Sequence, residues 1–366
     1  MLYGIAILKW DKKYGLKIEE KYPETIEIDE TIIKQVYTNH EFEEEAGFLS
    51  ISIQELNIAS FYTGSPVDLY LIAILSLDEI PEDYEEILSN TMRLIISNLR
   101  GRKYIEELPI YFNNIGAFPK MTKEQRLALI LLDPLKKIVL DRLIEDGMVS
   151  KSELNSWLKD RFGTENVNLD PIINSLLRNK ILHEETIENM TSSSIFLVGD
   201  IFVSRIPPKS SLMFVKGMVS LDPKITKNYS NDIQMFFQKY NPDPQDQELI
   251  LRILTDMDCY NIISRLRTAP LIQDSIAYKN LEGKMKDFNE ILKKLWEAQI
   301  ISVIKNKNGI EHLFLRTDIA VRHIFPLYLL NKIRALYHEG SKSENIITRY
   351  LRILQDRFYD HKKESK

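Results

Sequence analysis

The chain has 366 residues, 44% hydrophobic and 28% charged, with 15 Phe, 17 Tyr and 3 Trp, so it can bury more than one core and is neither disordered nor low-complexity. Its single cysteine, Cys259, excludes an intrachain disulfide and a cysteine-built zinc or iron–sulfur site, and it fits a reducing compartment. The formal net charge of −5 conceals a division: residues 1–115 hold 10 Lys and Arg against 21 Asp and Glu, residues 116–210 hold 13 of each, and residues 211–366 hold 25 against 19, so the two ends suit different partners.

The apolar stretch before Lys9 is short and runs into polar sequence with no small-residue cleavage site, which predicts a first strand and not a signal peptide. No window approaches 18 uncharged apolar residues, so no transmembrane segment is expected and a cytoplasmic location follows. Residues 2–10 and 14–20 are expected to pair as strands around residues 11–13. Asp29 or Thr31 then caps a short helix through Tyr37, with Ile32, Ile33 and Val36 on one face. Three further strands are expected at 47–53, 56–63 and 68–77, joined by links short enough for hairpin turns. Pro81 suits the first turn of a helix running to Leu99, where Tyr84, Ile87, Leu88, Met92, Ile95 and Ile96 recur at helical spacing behind an acidic first turn. A short helix near 103–112 ends this region.

The order strand, strand, helix, three strands, helix over residues 1–115 resembles the longin domain. That resemblance implies a five-stranded antiparallel sheet sandwiched by helices, as in membrane-traffic proteins and in assemblies that bind or regulate small GTPases. It rests on element order, because the family carries no invariant catalytic motif.

The middle opens at Asp133-Pro134, an N-cap followed by proline at the first helical position, with Leu135, Ile138, Val139 and Leu143 inward and a stop near Gly147. Ser150 and Glu153 make a capping box for a second helix carrying Leu154, Trp157 and Leu158. Asp170-Pro171 is expected to repeat the cap for a third, followed by strand-like runs at 181–187 and 194–203. Three helices and two strands in that order predict a winged helix over 120–210.

The same signature returns about 118 residues later. GDIFVSRIPP at 199–208 aligns with TDIAVRHIFP at 317–326, matching Asp200 with Asp318, Val203 with Val321 and Pro208 with Pro326. Phe196 matches Phe314, and Leu176, Leu177, Ile181 and Leu182 match Leu295, Trp296, Ile300 and Ile301. A second winged helix is therefore expected over 240–326, opening after Asp243-Pro244, with residues 284–298 as its third helix and 306–309 as its wing tip. Residues 319–337 and 344–359 read as amphipathic helices of an extension over 327–366, which ends in a frayed tail. These helices either pack back or form the seam of a homodimer.

Catalytic signatures are missing: there is no GxxxxGK, GxGxxG, HExxH or GxSxG, and the six histidines are dispersed without metal spacing. No enzyme activity, cofactor or metal is expected. Asp200 and Asp318 read as caps ending the second wing strand, Arg205 as a solvated cation, Cys259 as a small buried side chain, and residues 41–45 as a solvated acidic loop. Protein-interface candidates are Trp10, Tyr37, Phe61 and Tyr62. Trp10 and Tyr37 belong to an aromatic series with Tyr14 and Tyr22, while Phe61 and Tyr62 point to opposite faces of one strand, so one is core and the other available. The nucleic-acid candidates are Lys284, Lys286, Lys293, Lys294, Lys305 and Lys307 in the second winged helix, since the first offers Glu184, Glu185 and Glu188 where phosphates would sit.

The expected protein is thus α+β, with a longin-like sheet, two winged helices and C-terminal helices. Its expected role is that of a non-catalytic adaptor for a protein partner such as a small GTPase. A nucleic-acid-binding regulator is the alternative.

Overall fold

The computed structural model describes residues 1–11, 13, 15–43, 46–65, 67–162, 169–187, 191–218, 221–285 and 287–364, without the side chains of Glu43, Arg100 and Glu364. Of the residues singled out above, Tyr14, Glu44, Glu45, Glu188 and Lys286 lie outside them. The chain divides into two compact units, Met1–Met121 and Thr122–Lys366.

The first unit runs β1 (Leu2–Asp11), β2 (Gly15–Tyr22), α1 (Glu30–Glu43), β3 (Gly47–Ile53), β4 (Leu56–Tyr62), β5 (Leu69–Ser76), α2 (Glu85–Ser97) and α3 (Leu108–Ala117). Its strands form one antiparallel sheet in the order β2-β1-β5-β4-β3. All of β5 is buried, which is why it reads as a nearly unbroken apolar run. The strand period of two sends Ile5, Ile7, Leu71, Ala73 and Leu75 to one face beneath α2 and α3. Ala6, Leu8, Tyr70, Ile72 and Ile74 go to the other, beneath Ile32 and Val36 of α1. A five-stranded antiparallel sheet with helices on both faces is compatible with the longin-like expectation.

Two helices depart from the sequence reading. α1 continues past Tyr37 to Glu43, because His40 follows Val36 by one helical step and is buried with it. α3 begins at Leu108, not near residue 103, since Pro109 has no N–H and fits only the first turn of a helix.

The second unit is a duplication of ten elements. The first copy is α4 (Lys123–Leu132), α5 (Pro134–Asp146), β6 (Met148–Ser150), α6 (Lys151–Phe162), α7 (Asp170–Arg178), β7 (Leu182–Glu185), β8 (Ser194–Leu197), β9 (Asp200–Ile206), α8 (Lys209–Gly217) and α9 (Pro223–Lys239). The second is α10 (Pro244–Thr255), α11 (Met257–Thr268), β10 (Leu271–Ile272), α12 (Ile276–Glu282), α13 (Phe288–Glu297), β11 (Ile301–Lys305), β12 (Glu311–Leu315), β13 (Asp318–Ile324), α14 (Tyr328–His338) and α15 (Glu344–Glu364). Equivalent helices carry equivalent caps: Asp133 accepts the N–H groups of Leu135 and Lys136, and Asp256 those of Asp258 and Cys259. Asp170 does not repeat the device; Leu169 is the N-cap residue, and Asp170 instead pairs with Lys151 at 2.8 Å.

Each copy has a three-stranded sheet, β6-β8-β7 or β10-β12-β11, and contributes one strand to a shared ribbon, β9 with β13. That ribbon corrects two expectations. Residues 194–203 are not one strand, and residues 319–324 are not helix: β8 stops at Leu197, Asp200 and Asp318 each start a strand, and α14 begins only after Pro326.

In the ribbon Val203 pairs with Val321, Asp200 with Ile324 and Ile206 with Asp318. Residues 118 apart therefore face one another at its centre, which defines a local two-fold axis through Val203 and Val321.

The helices after the ribbon are exchanged across this axis. Tyr229 of α9 stacks on Phe314 of the second copy at 4.5 Å between centroids and donates its hydroxyl to Leu315 O at 2.6 Å. Tyr350 of α15 packs on Phe196 of the first copy at 5.1 Å and donates to Leu197 O at 2.7 Å. α8 and α9, where no element is predicted from the sequence, are thus half of a reciprocal cover. α15 packs back, with Ile347, Tyr350, Ile353 and Leu354 buried. Among the described residues no helix is long and apolar enough to cross a membrane.

Candidate docking surface

In the first unit, β1 ends at the hairpin and α1 crosses the same sheet face, so Trp10 and Tyr37 meet. Their rings stack at 4.5 Å between centroids and 12° between planes. The Tyr37 hydroxyl donates to Glu41 Oε1 at 2.7 Å, and that bond to a carboxylate raises its pKa. The Trp10 N–H donates to Asp68 O at 3.3 Å, fixing the backbone beneath the indole. Trp10 remains 37% exposed, and Phe42, five residues beyond Tyr37 on α1, is 90% exposed. Phe42 belongs to α1 and not to the solvated loop expected over 41–45. The signal that would have placed it on α1 is the continued helical spacing from Ile32 through Val36 to His40.

Phe61 and Tyr62 do point to opposite faces, but neither is simply available. Phe61 packs beside Leu71 and the α2 side of the core, Tyr62 beside the α1 side, and both are half-buried. Tyr62 stacks on Tyr70 at 4.3 Å and donates to Asp68 Oδ1 at 2.8 Å. Burial, then the Asp68 carboxylate, pushes its pKa up to about 12. His40 fits under this pair, 5.4 Å from Tyr70 and 5.7 Å from Tyr62, with Nε2 at 2.9 Å from Ser60 Oγ. Burial lowers its pKa to about 4, so it is a neutral core group.

Of the five described candidate lysines of the second unit, three pair with acids. Lys294 Nζ lies 2.7 Å from Asp256, Lys305 3.1 Å from Glu311 and Lys307 3.6 Å from Asp222. Lys284 and Lys293 are exposed. Such exposed pairs are each worth under about 1 kcal/mol, but they place acids within any phosphate's approach.

Arg205 corrects the sequence reading most sharply. It is not solvated: 5% exposed, it donates two bonds of 3.0 and 2.6 Å to Asp246 Oδ1, a third of 3.0 Å to Asp246 Oδ2, and one of 3.0 Å to Thr317 Oγ1. Tyr240 adds its hydroxyl to Asp246 at 2.8 Å. Asp200 and Asp318 act alike at strand starts, accepting the next residue's N–H at 2.7 and 2.8 Å. Cys259 is fully buried, with its thiol pushed up to about 12 by burial. Of the histidines, the fold brings His323 and His361 together at 5.9 Å between ring centroids. Among the described residues no group of three or more His, Cys, Asp or Glu is placed to hold a metal. No protein-family model matches the sequence, and no curated protein matches it.

Proposed function

We propose that the chain is a non-catalytic adaptor whose first unit docks a protein partner on the side of α1, the partner being a small GTPase in the reading that the longin-like resemblance implies. In the same proposal each half of the second unit is a winged helix used as a further docking module, because its short strands and helices follow that order and Lys294, Lys305 and Lys307 of the second half pair with acids. The observation that supports the reading most is the Trp10–Tyr37 stack. It is an aromatic pair ordered before any partner arrives yet still exposed at the indole, so it would lose little side-chain entropy on binding. The excess of acids over residues 1–115 suits a partner presenting Lys and Arg.

The test is direct binding of purified full-length chain to purified small GTPases loaded with a GTP analogue or GDP. The reading expects nucleotide-dependent binding that Trp10→Ala weakens by roughly 30-fold, the scale of a central aromatic anchor, while Lys293→Ala leaves it unchanged. Equal affinity for Trp10→Ala would remove this surface. Binding of a DNA duplex that collapses between about 50 and 200 mM salt would replace the adaptor reading with the nucleic-acid one.

A further inference from the structure

The local two-fold axis of the second unit makes its two halves a natural internal control: any feature at one end of the β9–β13 ribbon has a counterpart at the other. At one end Arg205 is closed in by Asp246, Tyr240 and the Phe236 ring, 5.9 Å from the guanidinium. The equivalent residues follow from the register. His323 stands for Arg205, since their strands pair about Val203 and Val321. His361 and Arg357 stand for Tyr240 and Phe236, by the spacing that relates Tyr229 to Tyr350. Lys123 stands for Asp246, by the spacing that relates the caps Asp133 and Asp256.

Every member of the self-neutralising group has therefore changed, and the acid has become a cation. At this second end an open cleft of about 280 Å³ is lined by Lys123, Glu124, Leu127, Arg322, His323 and His361. An adjoining hollow shares both histidines and adds Lys180, Arg357 and Asp360. Glu124 is already held by Arg267 through bonds of 2.8 and 3.1 Å. Lys123 and Arg322 line the cleft and Lys180 and Arg357 the hollow beside it; they come from three elements and one helix end, so their grouping is a property of the fold and not of a local charge run.

We propose that this cleft is a binding site for a phosphate-bearing small ligand. Arginine and lysine suit phosphoryl oxygens, Arg through its planar fork of donors and Lys as a mobile point charge. His323, whose Nε2 lies 3.1 Å from Lys180 O and so donates there, is held with its ring facing the cleft. The cleft and the hollow beside it offer Lys123, Arg322, Lys180 and Arg357, more positive charge than a single phosphate needs, and this favours a group carrying two phosphoryl units. The site is separate from the docking surface proposed above and does not rest on it.

Isothermal titration calorimetry of the full-length chain with inorganic phosphate and with pyrophosphate tests the site. Sedimentation with phosphatidylcholine vesicles, with and without about 5% phosphatidylinositol phosphate, distinguishes a free ligand from a lipid headgroup. Saturable pyrophosphate binding tighter than phosphate, weakened at least tenfold in Arg322→Ala/Arg357→Ala, is expected. The control Lys293→Ala/Lys305→Ala removes the same charge elsewhere on the unit and should bind as the parent does. Arg322→Lys/Arg357→Lys keeps the charge and guards against a folding defect; it should retain part of the affinity. No saturation up to about 10 mM of either anion and no selective vesicle binding would overturn the proposal, as would equal losses in the cleft and control variants.

Discussion

His40 and Arg205 show how differently two polar residues can be buried. Neutral His40 sits under Tyr62 and Tyr70, and its pKa falls from the usual 6.5 to about 4 in the folded chain. Its contribution to stability is complete above pH 6.5 and is lost as pH falls from 6.5 to 4, because the unfolded chain takes up a proton that the folded chain refuses. The loss is at most about 3 kcal/mol. Urea unfolding at pH 7 and pH 4.5 should show a steeper decline for the parent than for His40→Gln, and parallel declines would refute the assignment. Arg205 is buried charged, answered by Asp246 and Thr317. Arg205→Met strands the Asp246 carboxylate and should cost about 3 kcal/mol, with Arg205→Met/Asp246→Leu recovering much of it. The sequence reading of Arg205 as a solvated cation treats it as a residue of an exposed strand end. The inference failed because the two halves are not chemically symmetric, and Asp246, 41 residues away in sequence, reaches Arg205 only in the folded unit.

At the scale of elements, the seam between the two copies depends on one close approach. A Cβ at Gly199 would lie 2.1 Å from His323 Nε2 and 2.7 Å from Lys180 O. The imidazole can swing away; the carbonyl is fixed by the turn after α7. Gly199→Ala should destabilise the second unit by about 2 kcal/mol, read as a lowered urea midpoint. The equivalent Thr317 carries its side chain without conflict, since it accepts from Arg205 and donates to Gln299 O at 3.1 Å. Helices with marked apolar spacing and a cap, such as α5 after Asp133-Pro134, were legible beforehand. β9 is legible only in its first half, within the run 194–203, and β13 reads as helix, since a strand that pairs only with its own repeat shows no local turn or hairpin partner in the sequence.

At the scale of the molecule, the exchanged helices make the second unit one folding entity. Ile347, Tyr350, Ile353 and Leu354 of α15 are buried, and at about 2 kcal/mol each they contribute an amount comparable with the whole stability of an ordinary domain. Truncation after residue 340 should therefore expose Phe196 and Leu197, bind ANS and lose cooperative unfolding. A truncated chain that still unfolds in one sharp transition would contradict the reciprocal cover. The first unit, whose two clusters draw only on residues within 1–121, should fold when expressed alone, with dispersed amide resonances as the check.

By itself the sequence determined the elements whose causes are local. The five strands of the first sheet and the caps at Asp133 and Asp243 follow from hydrophobic period and N-cap chemistry, which act within a few residues. It also showed the duplication, through the matched runs at 199–208 and 317–326. Only the tertiary structure decided what the duplication does: the two-fold ribbon, the exchange of α8 and α9 with α14 and α15, and the meeting of Lys123, Arg322 and His361 in one cleft. These depend on contacts far apart in sequence, such as Tyr229 with Leu315 and Tyr350 with Leu197, and the burial energy that selects them is non-directional. Nothing in the local sequence could state which sheet a helix would cover.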